Sequence, residues 1–501
     1  MRCILLNKKI YSLLGKNNRK HISIIEILQN EENWITIEKV SEQLKISSRS
    51  TQRYIHHLKI IIDNCNQDRD LTIQLHYEKF KGLKLDINDF TTEILKTYIL
   101  QEDENIKLLL DICTRKSKIL SKYAEDNRLS SYAVRSSVLR INSLLKQHKL
   151  RISTNDLLII GEEKRIRFYI YFFLWEITKN EEWPFDYVDE NKIYQSIEQI
   201  EIDHAIVYSN IQKKRIAYFI AICLIRSRKN FNIKNIDDWD SYLNFSALKN
   251  DKEIAREKKK YQLFNENELL FLLVVIQMNF GMYQSSKIKS RILNYHRKYE
   301  TDIYRATNIV FKEFQKAFFS IPKEYIESFY NFIFCTHLQI ATLSDVLIDF
   351  DSYDVLETRP IPNELICKIH SFIEKMRGLI SSNIFYMNDL LIRRYLLIFL
   401  FFERCATYQP QITLGIDCDM PFFIKELFKK KIARHFEGIY NLNIVETKIK
   451  SKKSSLIVTD LMEKNSFQEN NICIVDYSLK SNDYLMIGKE IEKVLRKNNR
   501  K

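Results

Sequence analysis

At 501 residues the chain is too long for one hydrophobic core, and its length predicts three to five domains. A formal net charge of +14 on 45% hydrophobic content describes a globular protein with a preference for polyanionic partners, nucleic acid above all. Nine singly placed cysteines and eight glycines, with no CxxC, Walker loop, GxGxxG, HExxH, GxSxG or kinase signature, exclude a disulfide framework, a zinc site and most enzyme classes. No metal and no cofactor is expected.

Met1–Ile10 has only the short apolar piece Ile4–Leu6 and reads as no signal peptide. The apolar runs Leu269–Ile276 and Tyr395–Phe402 fall well short of the roughly 20 residues that span a bilayer. A cytoplasmic protein with no membrane contact is the expectation.

Residues 1–20 read as a basic lead of strand or coil. His21–Gln29 is a first helix, and Thr36–Leu44 a second, with Thr36 as cap and Val40 and Leu44 inward. Lys45-Ile46 makes a turn into the helix opened by Ile46-Ser47-Ser48. Its core positions are Thr51, Ile55, Leu58 and Ile62, and it exposes Arg49, Gln52, Arg53, His56 and Lys59. In a major groove, Arg and Gln pair with base edges and Lys with phosphates. A β-hairpin wing follows from Leu71 to about Ile87.

Asn88–Ala124 is helical by pattern, and Glu125–Arg128 is its turn. The stretch LSSYAVRSSVLRINSLL, Leu129 to Leu145, reads as the recognition helix of a second helix-turn-helix. Ser130 is the N-cap, and Leu129 and Val134 stand at staple spacing. Val134, Val138, Ile141 and Leu145 form one apolar face at helical period. The opposite side offers Tyr132, Arg135, Ser136, Arg140 and Ser143. The core positions of the two recognition helices differ by a constant offset of 83, and Leu71, Ile73 and Gly82 match Leu150, Ile152 and Gly161 at 79. Residues 20–165 are therefore read as two winged helix-turn-helix units in tandem. Between Ile112 and Lys149 nine Lys/Arg stand against two Asp/Glu, so half the excess charge lies around the second recognition helix.

Glu162 begins EEKRIRFYIYFFLWEI, whose apolar density predicts a helix buried on several sides. Trp183 to Tyr408 is helical throughout, with strong helices at Asn210–Arg228, Asn265–Gly281, Lys287–His296, Thr307–Phe319, Glu324–Leu343, Asn363–Ile380 and Met387–Ala406. Two bundles parting near residue 290 fit its size. After Pro410 the pattern changes to strand Gln411–Ile416, helix Phe422–Phe436, strands Leu442–Ile449, Ser455–Val458 and Ile472–Val475, and helix Leu485–Leu495: a small α/β domain. The tail RKNNRK reads as disordered. The fold class is thus mainly α and multidomain: a first winged helix-turn-helix over 1–88, a second over 89–180, bundles over 181–290 and 291–408, an α/β domain over 409–496 and a basic tail over 497–501.

This order of parts resembles the Mga/AtxA-like class of virulence regulators from Gram-positive bacteria. The local match is LSSYAVRSSVLRINSLLKQHKLRISTNDLLIIGEEKRIRFYIYFFLWEI, similar to the second DNA-binding unit of that class. The resemblance implies that the bundles are phosphotransferase-system regulation domains (PRDs). It also implies that the last domain resembles enzyme IIB and mediates dimerisation. The protein would be a transcription activator that binds promoter DNA as a homodimer and meets phosphotransferase carriers. A winged helix reading one half-site gains affinity from a linked second copy.

A phosphoacceptor histidine in such domains must be exposed, with donors to hold the added charge. His204 in the first bundle and His370 in the second are the leading candidates. His337, in a very apolar helix, and His296 complete the set. Cys418 in GIDCDMPFF occupies the place of a IIB phosphocysteine, but Asp417 and Asp419 flank it and no glycine-rich loop cradles phosphate. No phosphotransfer is expected there. The alternatives are an RNA-binding antiterminator with the same regulation domains, or a IIB-type phosphotransferase acting through Cys418.

Overall fold

The computed structural model describes residues 10–31, 33–114, 119–179, 182–204, 206–234, 236, 239–244, 266–343, 361–380, 382–386, 388–446, 454–460 and 471–498. The chain is mainly helical. It divides into two compact units, Met1–Thr307 with Asn331–Ser352, and Asn308–Tyr330 with Tyr353–Lys501. The division falls past the parting expected near residue 290.

In the first unit, α1 (Lys16–Gln29) starts inside the lead that was expected to be strand or coil. Its polar first turn is stable there because of Asp103. The Gly15 N–H donates to Asp103 Oδ2 at 2.7 Å, and Asn18 Nδ2 donates to the same oxygen at 3.0 Å. The other carboxylate oxygen accepts the Asn105 N–H at 3.0 Å, and Asn105 Nδ2 reaches the Leu13 carbonyl at 2.7 Å. One nearly buried carboxylate thus satisfies orphan donors at the starts of two helices, one from each helix-turn-helix unit.

α2 (Ile37–Leu44) is capped by Thr36, whose hydroxyl accepts the Lys39 N–H, and α3 (Ser48–Arg69) by Ser47. Thr51, Ile55, Leu58 and Ile62 are buried as the period requires, joined by Tyr54 and Cys65. β1 (Gln74–Glu78) and β2 (Gly82–Asp86) pair antiparallel, and Ile35 adds a bridge to Leu83 through two hydrogen bonds of 2.9 and 2.8 Å.

The second copy follows as α4 (Asp89–Gln101), α5 (Glu104–Thr114), α6 (Leu120–Asp126) and α7 (Ser131–Leu145), then β3 (Arg151–Ile152) and β4 (Ile159–Ile160). α6 extends through Asp126 and absorbs two residues expected in the turn. The repeat is closer in backbone than in sequence. Lys45 and Arg128, 83 residues apart, both take left-handed backbone at φ 54°. The Ile46 N–H then reaches the Ser41 carbonyl at 3.1 Å, and the Leu129 N–H reaches that of Ala124 at 2.8 Å, the six-residue closure of a Schellman turn. Each recognition helix also holds its wing through one asparagine. Asn66 Nδ2 donates to the Ile73 carbonyl (2.8 Å) while its Oδ1 accepts the Ile73 N–H (2.9 Å); Asn142 makes the same pair with Ile152.

α8 (Glu163–Thr178) is buried from Lys164 to Thr178, as its apolar density foretold. The rest of this unit comprises α9 (Glu190–His204), α10 (Asn210–Arg228), the short α11 (Asp240–Leu243), α12 (Glu266–Gln277), α13 (Ser286–Lys298) and parts of α14 (Asp302–Ala317) and α15 (Ile326–Leu343).

The second unit packs Phe314 and Phe318 of its first segment against Phe372 of α16 (Asn363–Leu379) and Phe399 of α17 (Asn388–Phe401). Its sheet is wholly parallel, in the order β6 (Leu442–Glu446), β5 (Ile412–Asp417), β7 (Leu456–Thr459), β8 (Asn471–Ile474). α18 (Phe422–Phe436) and α19 (Ser481–Asn498) bury Ile432, Ile487 and Ile491 in its core. α19 runs through Lys497 and Asn498, which were read as disordered tail. Residues 499–501, the end of the expected strand beyond Glu446, and residues 1–9 lie outside the described residues.

Candidate nucleic-acid interface

Both recognition helices present the faces read from their sequences. On α3, Arg49, Gln52, Arg53, His56 and Lys59 are exposed; Arg53 lies 5.7 Å from the Tyr54 ring centroid. On α7, Tyr132, Arg135 and Ser136 are exposed, Tyr132 to 82%. Among the described residues neither Arg49 nor Arg135 has an ion-pair partner, so both guanidinium forks are available to a phosphate or a guanine edge.

Two members of the expected α7 face are engaged by the protein itself. Arg140 is exposed, yet its Nη1 stands 3.5 Å from the Leu14 carbonyl, and the Ser143 hydroxyl donates to the Arg140 carbonyl at 2.7 Å. Tyr132, Arg135 and Ser136 carry no such contact, and Leu139 stands beside them. Leu139, 65% exposed, was missed because a leucine in a helical pattern is assigned to the core by default. It stands seven residues after Tyr132, on the polar stripe, and an apolar group there suits a thymine methyl.

The basic window narrows as well. Arg115, Lys116 and Lys118 lie outside the described residues. Lys122 holds both acids of the window, Glu125 at 3.1 Å and Asp126 at 3.3 Å.

The histidines separate sharply. His296 is fully buried, its Nδ1 2.7 Å from the Thr301 hydroxyl and its Nε2 3.1 Å from Gln277 Oε1; burial pushes it down to about 3. His337 is fully buried too, 3.0 Å from the Thr307 hydroxyl, and burial lowers it to about 3. As folded, neither ring meets the exposure that a phosphoacceptor requires. His370 does: it stands on α16 with a half-exposed side chain, 3.9 Å from Glu374 one turn on. His204 is the last residue of α9, and its side chain lies outside the described residues.

Cys418 is buried, its Sγ 3.9 Å from the Val458 carbonyl. Burial first, then the Asp460 and Asp417 charges, push the thiol up to about 11. The carboxylate foreseen at Asp417 contributes, and the larger one comes from Asp460 at the end of β7. Helix α18 opens four residues later with exposed Phe422 and Phe423. A protonated, buried thiol is a poor nucleophile. Among the described residues no helix is long and apolar enough to cross a membrane, and no group of acids, histidines and cysteines could hold a metal ion.

Comparison with known proteins agrees with the tandem arrangement. Residues 16–64 match the M protein trans-acting positive regulator (MGA) HTH domain, and residues 88–174 the Mga helix-turn-helix domain. The chain is similar to three Bacillus anthracis proteins. It is 26% identical to the capsule synthesis positive regulator AcpB, over 44% of this chain and 45% of that protein. It is 20% identical to the capsule synthesis positive regulator AcpA, over 58% and 60%. It is 24% identical to the anthrax toxin expression trans-acting positive regulator, over 52% and 55%. The chain thus spans about half the length of the curated relatives it matches. With both helix-turn-helix domains in order, residues 16–64 and 88–174, the chain is similar to the Mga/AtxA-like regulators.

Proposed function

We propose that this protein is a DNA-binding transcription activator that works as a homodimer and is tuned by phosphorylation of a bundle histidine. The observation that carries the reading is the pair of solvent-facing recognition helices, in matching register, each with a guanidinium that has no acidic partner among the described residues. Fluorescence anisotropy on its own upstream duplex, across a salt series, tests it. Wild type is expected to bind with a steep inverse salt dependence. Arg135→Ala is expected to weaken specific binding by about 1–3 kcal/mol if Arg135 reads a base, and otherwise to lower the salt slope by about 1. Equal binding by Arg135→Ala and an Arg49→Ala/Arg53→Ala variant would remove these helices from the interface.

Support for dimerisation comes from the start of α18. Phe422, Phe423, Ile424 and Leu427 are exposed within two turns, and Phe422 and Phe423 stack edge-on at 5.5 Å. A contiguous apolar surface is what a second copy covers. Phe423→Asp/Leu427→Asp is expected to sediment as a monomer at concentrations where wild type is a dimer, with unchanged far-UV circular dichroism. An unshifted dimer would exclude this surface.

PRD-like bundles and a IIB-like last domain complete the proposal. The parallel β6-β5-β7-β8 sheet and the exposed His370 are consistent with it. Incubation with a phosphorylated carrier is expected to add phosphate to wild type, and a His370→Ala/His204→Ala variant is expected to stay unmodified. Phosphate retained by that variant but lost on Cys418→Ala would instead favour the phosphotransferase reading.

A further inference from the structure

We propose that Phe80 is a wedge that the first wing inserts from the minor groove between two base pairs, unstacking one step and bending the duplex. The inference rests on the DNA-binding reading above and concerns a residue outside both recognition helices. Phe80 stands at the tip of the three-residue loop Lys79-Phe80-Lys81 joining β1 to β2, and is 95% exposed. No core claims it.

The tip is held rigidly. The Lys81 N–H closes the turn on the Glu78 carbonyl at 3.2 Å. Gly82 follows at φ +99°, and a Cβ there would stand 2.1 Å from the Ile35 carbonyl oxygen, so the hairpin is clamped against Ile35, which bridges to Leu83. An insertion residue needs such a base, since a floppy tip would fold back before it separated a base step.

The charge around it selects a polyanion. Lys79 Nζ lies 6.0 Å from the Phe80 ring centroid and has no acidic partner among the described residues. Lys81 spans Glu78 at 2.8 Å and the Trp34 ring at 5.3 Å, and stiffens the stem. The same domain carries Arg49, Gln52 and Arg53 on α3. An exposed phenylalanine between lysines, beside a recognition helix, matches the way apolar side chains enter a minor groove while cations hold the phosphates.

The second wing is built otherwise. Its turn, Ser153 to Leu158, contains no lysine and no aromatic residue; Leu157 is buried, and the Asn155 carbonyl accepts the Leu120 N–H at 2.9 Å. That wing is tied down onto α6. The tandem units thus share a recognition helix but only the first has a probing wing.

The test uses full-length protein and its upstream duplex, labelled at both ends for energy transfer and carrying 2-aminopurine substitutions across the site. Wild type is expected to shorten the end-to-end distance and raise 2-aminopurine fluorescence at one step. Phe80→Ala is expected to lose both signals while anisotropy shows binding weakened only several-fold; Phe80→Trp is expected to keep both. Bending and unstacking by Phe80→Ala equal to wild type, or wild-type binding without either signal, would overturn the wedge and leave DNA binding standing. Failure of wild type to bind any duplex at low salt would overturn the functional reading and the wedge together.

Discussion

Glu268→Ala is expected to destabilise the first unit by about 3–5 kcal/mol, read as a lowered urea midpoint of its unfolding transition. Arg167 is wholly buried, and its guanidinium donates to both Glu268 oxygens, with Nη2 2.8 Å from Oε1. Its Nε donates to Glu163 at 3.0 Å and Nη2 to the Phe231 carbonyl at 3.0 Å. Arg226 grips the far side of Glu163 at 2.9 and 2.6 Å, and the Ile233 N–H donates to Glu268 at 2.8 Å. Two acids and two arginines therefore alternate in a chain with every member hydrogen-bonded. Removing Glu268 leaves a buried cation short of one counter-charge and orphans a backbone N–H.

The expected size follows from desolvation rather than from attraction. An intact buried pair contributes little net stability, because its Coulomb gain is offset by the loss of water. A half-pair bears the desolvation cost alone. Hence Arg167→Met/Glu268→Met is expected to be far less damaging than Glu268→Ala. A single-variant loss below about 1 kcal/mol would mean that the cation finds another acid or water. The network also joins α8, which ends the second helix-turn-helix match, to α10 and α12 of the following bundle. If these contacts couple the two, DNA affinity is expected to change in the double variant; unchanged affinity would make the network purely structural.

Much of the first unit was legible because helical burial is periodic. Val134, Val138, Ile141 and Leu145 repeat at the spacing of one helix face, and Thr51, Ile55, Leu58 and Ile62 do so 83 residues earlier. The burial of α8 was legible for the opposite reason, since it has no polar face to offer. Hydrogen-bond partners have no such period. Asn66 clamps Ile73 seven residues on, whereas Asn142 clamps Ile152 ten residues on, and neither spacing marks the pair in advance. Nothing local marks Asp103 as the acceptor for Gly15, 88 residues away. The thiol of Cys418 is perturbed mainly by burial and by an aspartate some forty residues later in sequence, beyond the reach of a local pattern. Phe80 shows no pattern at all: one aromatic residue in a short turn acquires meaning only once the turn is seen to project into solvent.

Acidification from pH 6.5 toward 4 is expected to unfold the first unit well before its carboxylates are neutralised. Four of its histidines are buried, His21, His148, His296 and His337, and three of them are shifted: His21 is lowered to about 4, and His296 and His337 each to about 3. Burial is the main cause in all three; for His21 the nearby His57 adds to it. His21 packs edge-on against Tyr54 of α3, and neither of its ring nitrogens has a hydrogen-bond partner among the described residues. Each folded-state value lies below the ordinary value near 6.5, so the unfolded chain takes up protons first. The neutral rings contribute their full stability above about pH 6.5 and lose it progressively as the pH falls toward about 3–4. At about 1.4 kcal/mol per unit of pH for each ring, the group can remove several kcal/mol by pH 5, a large share of a domain's margin. The urea midpoint of wild type is therefore expected to fall steeply between pH 6.5 and 5. In His296→Gln/His337→Gln, where the replacement amide keeps a polar partner for Thr301 and Thr307, the same plot is expected to flatten. An equally steep fall in that variant would assign the acid sensitivity to other groups, and a flat wild-type profile would mean that the buried rings accept protons without opening the fold.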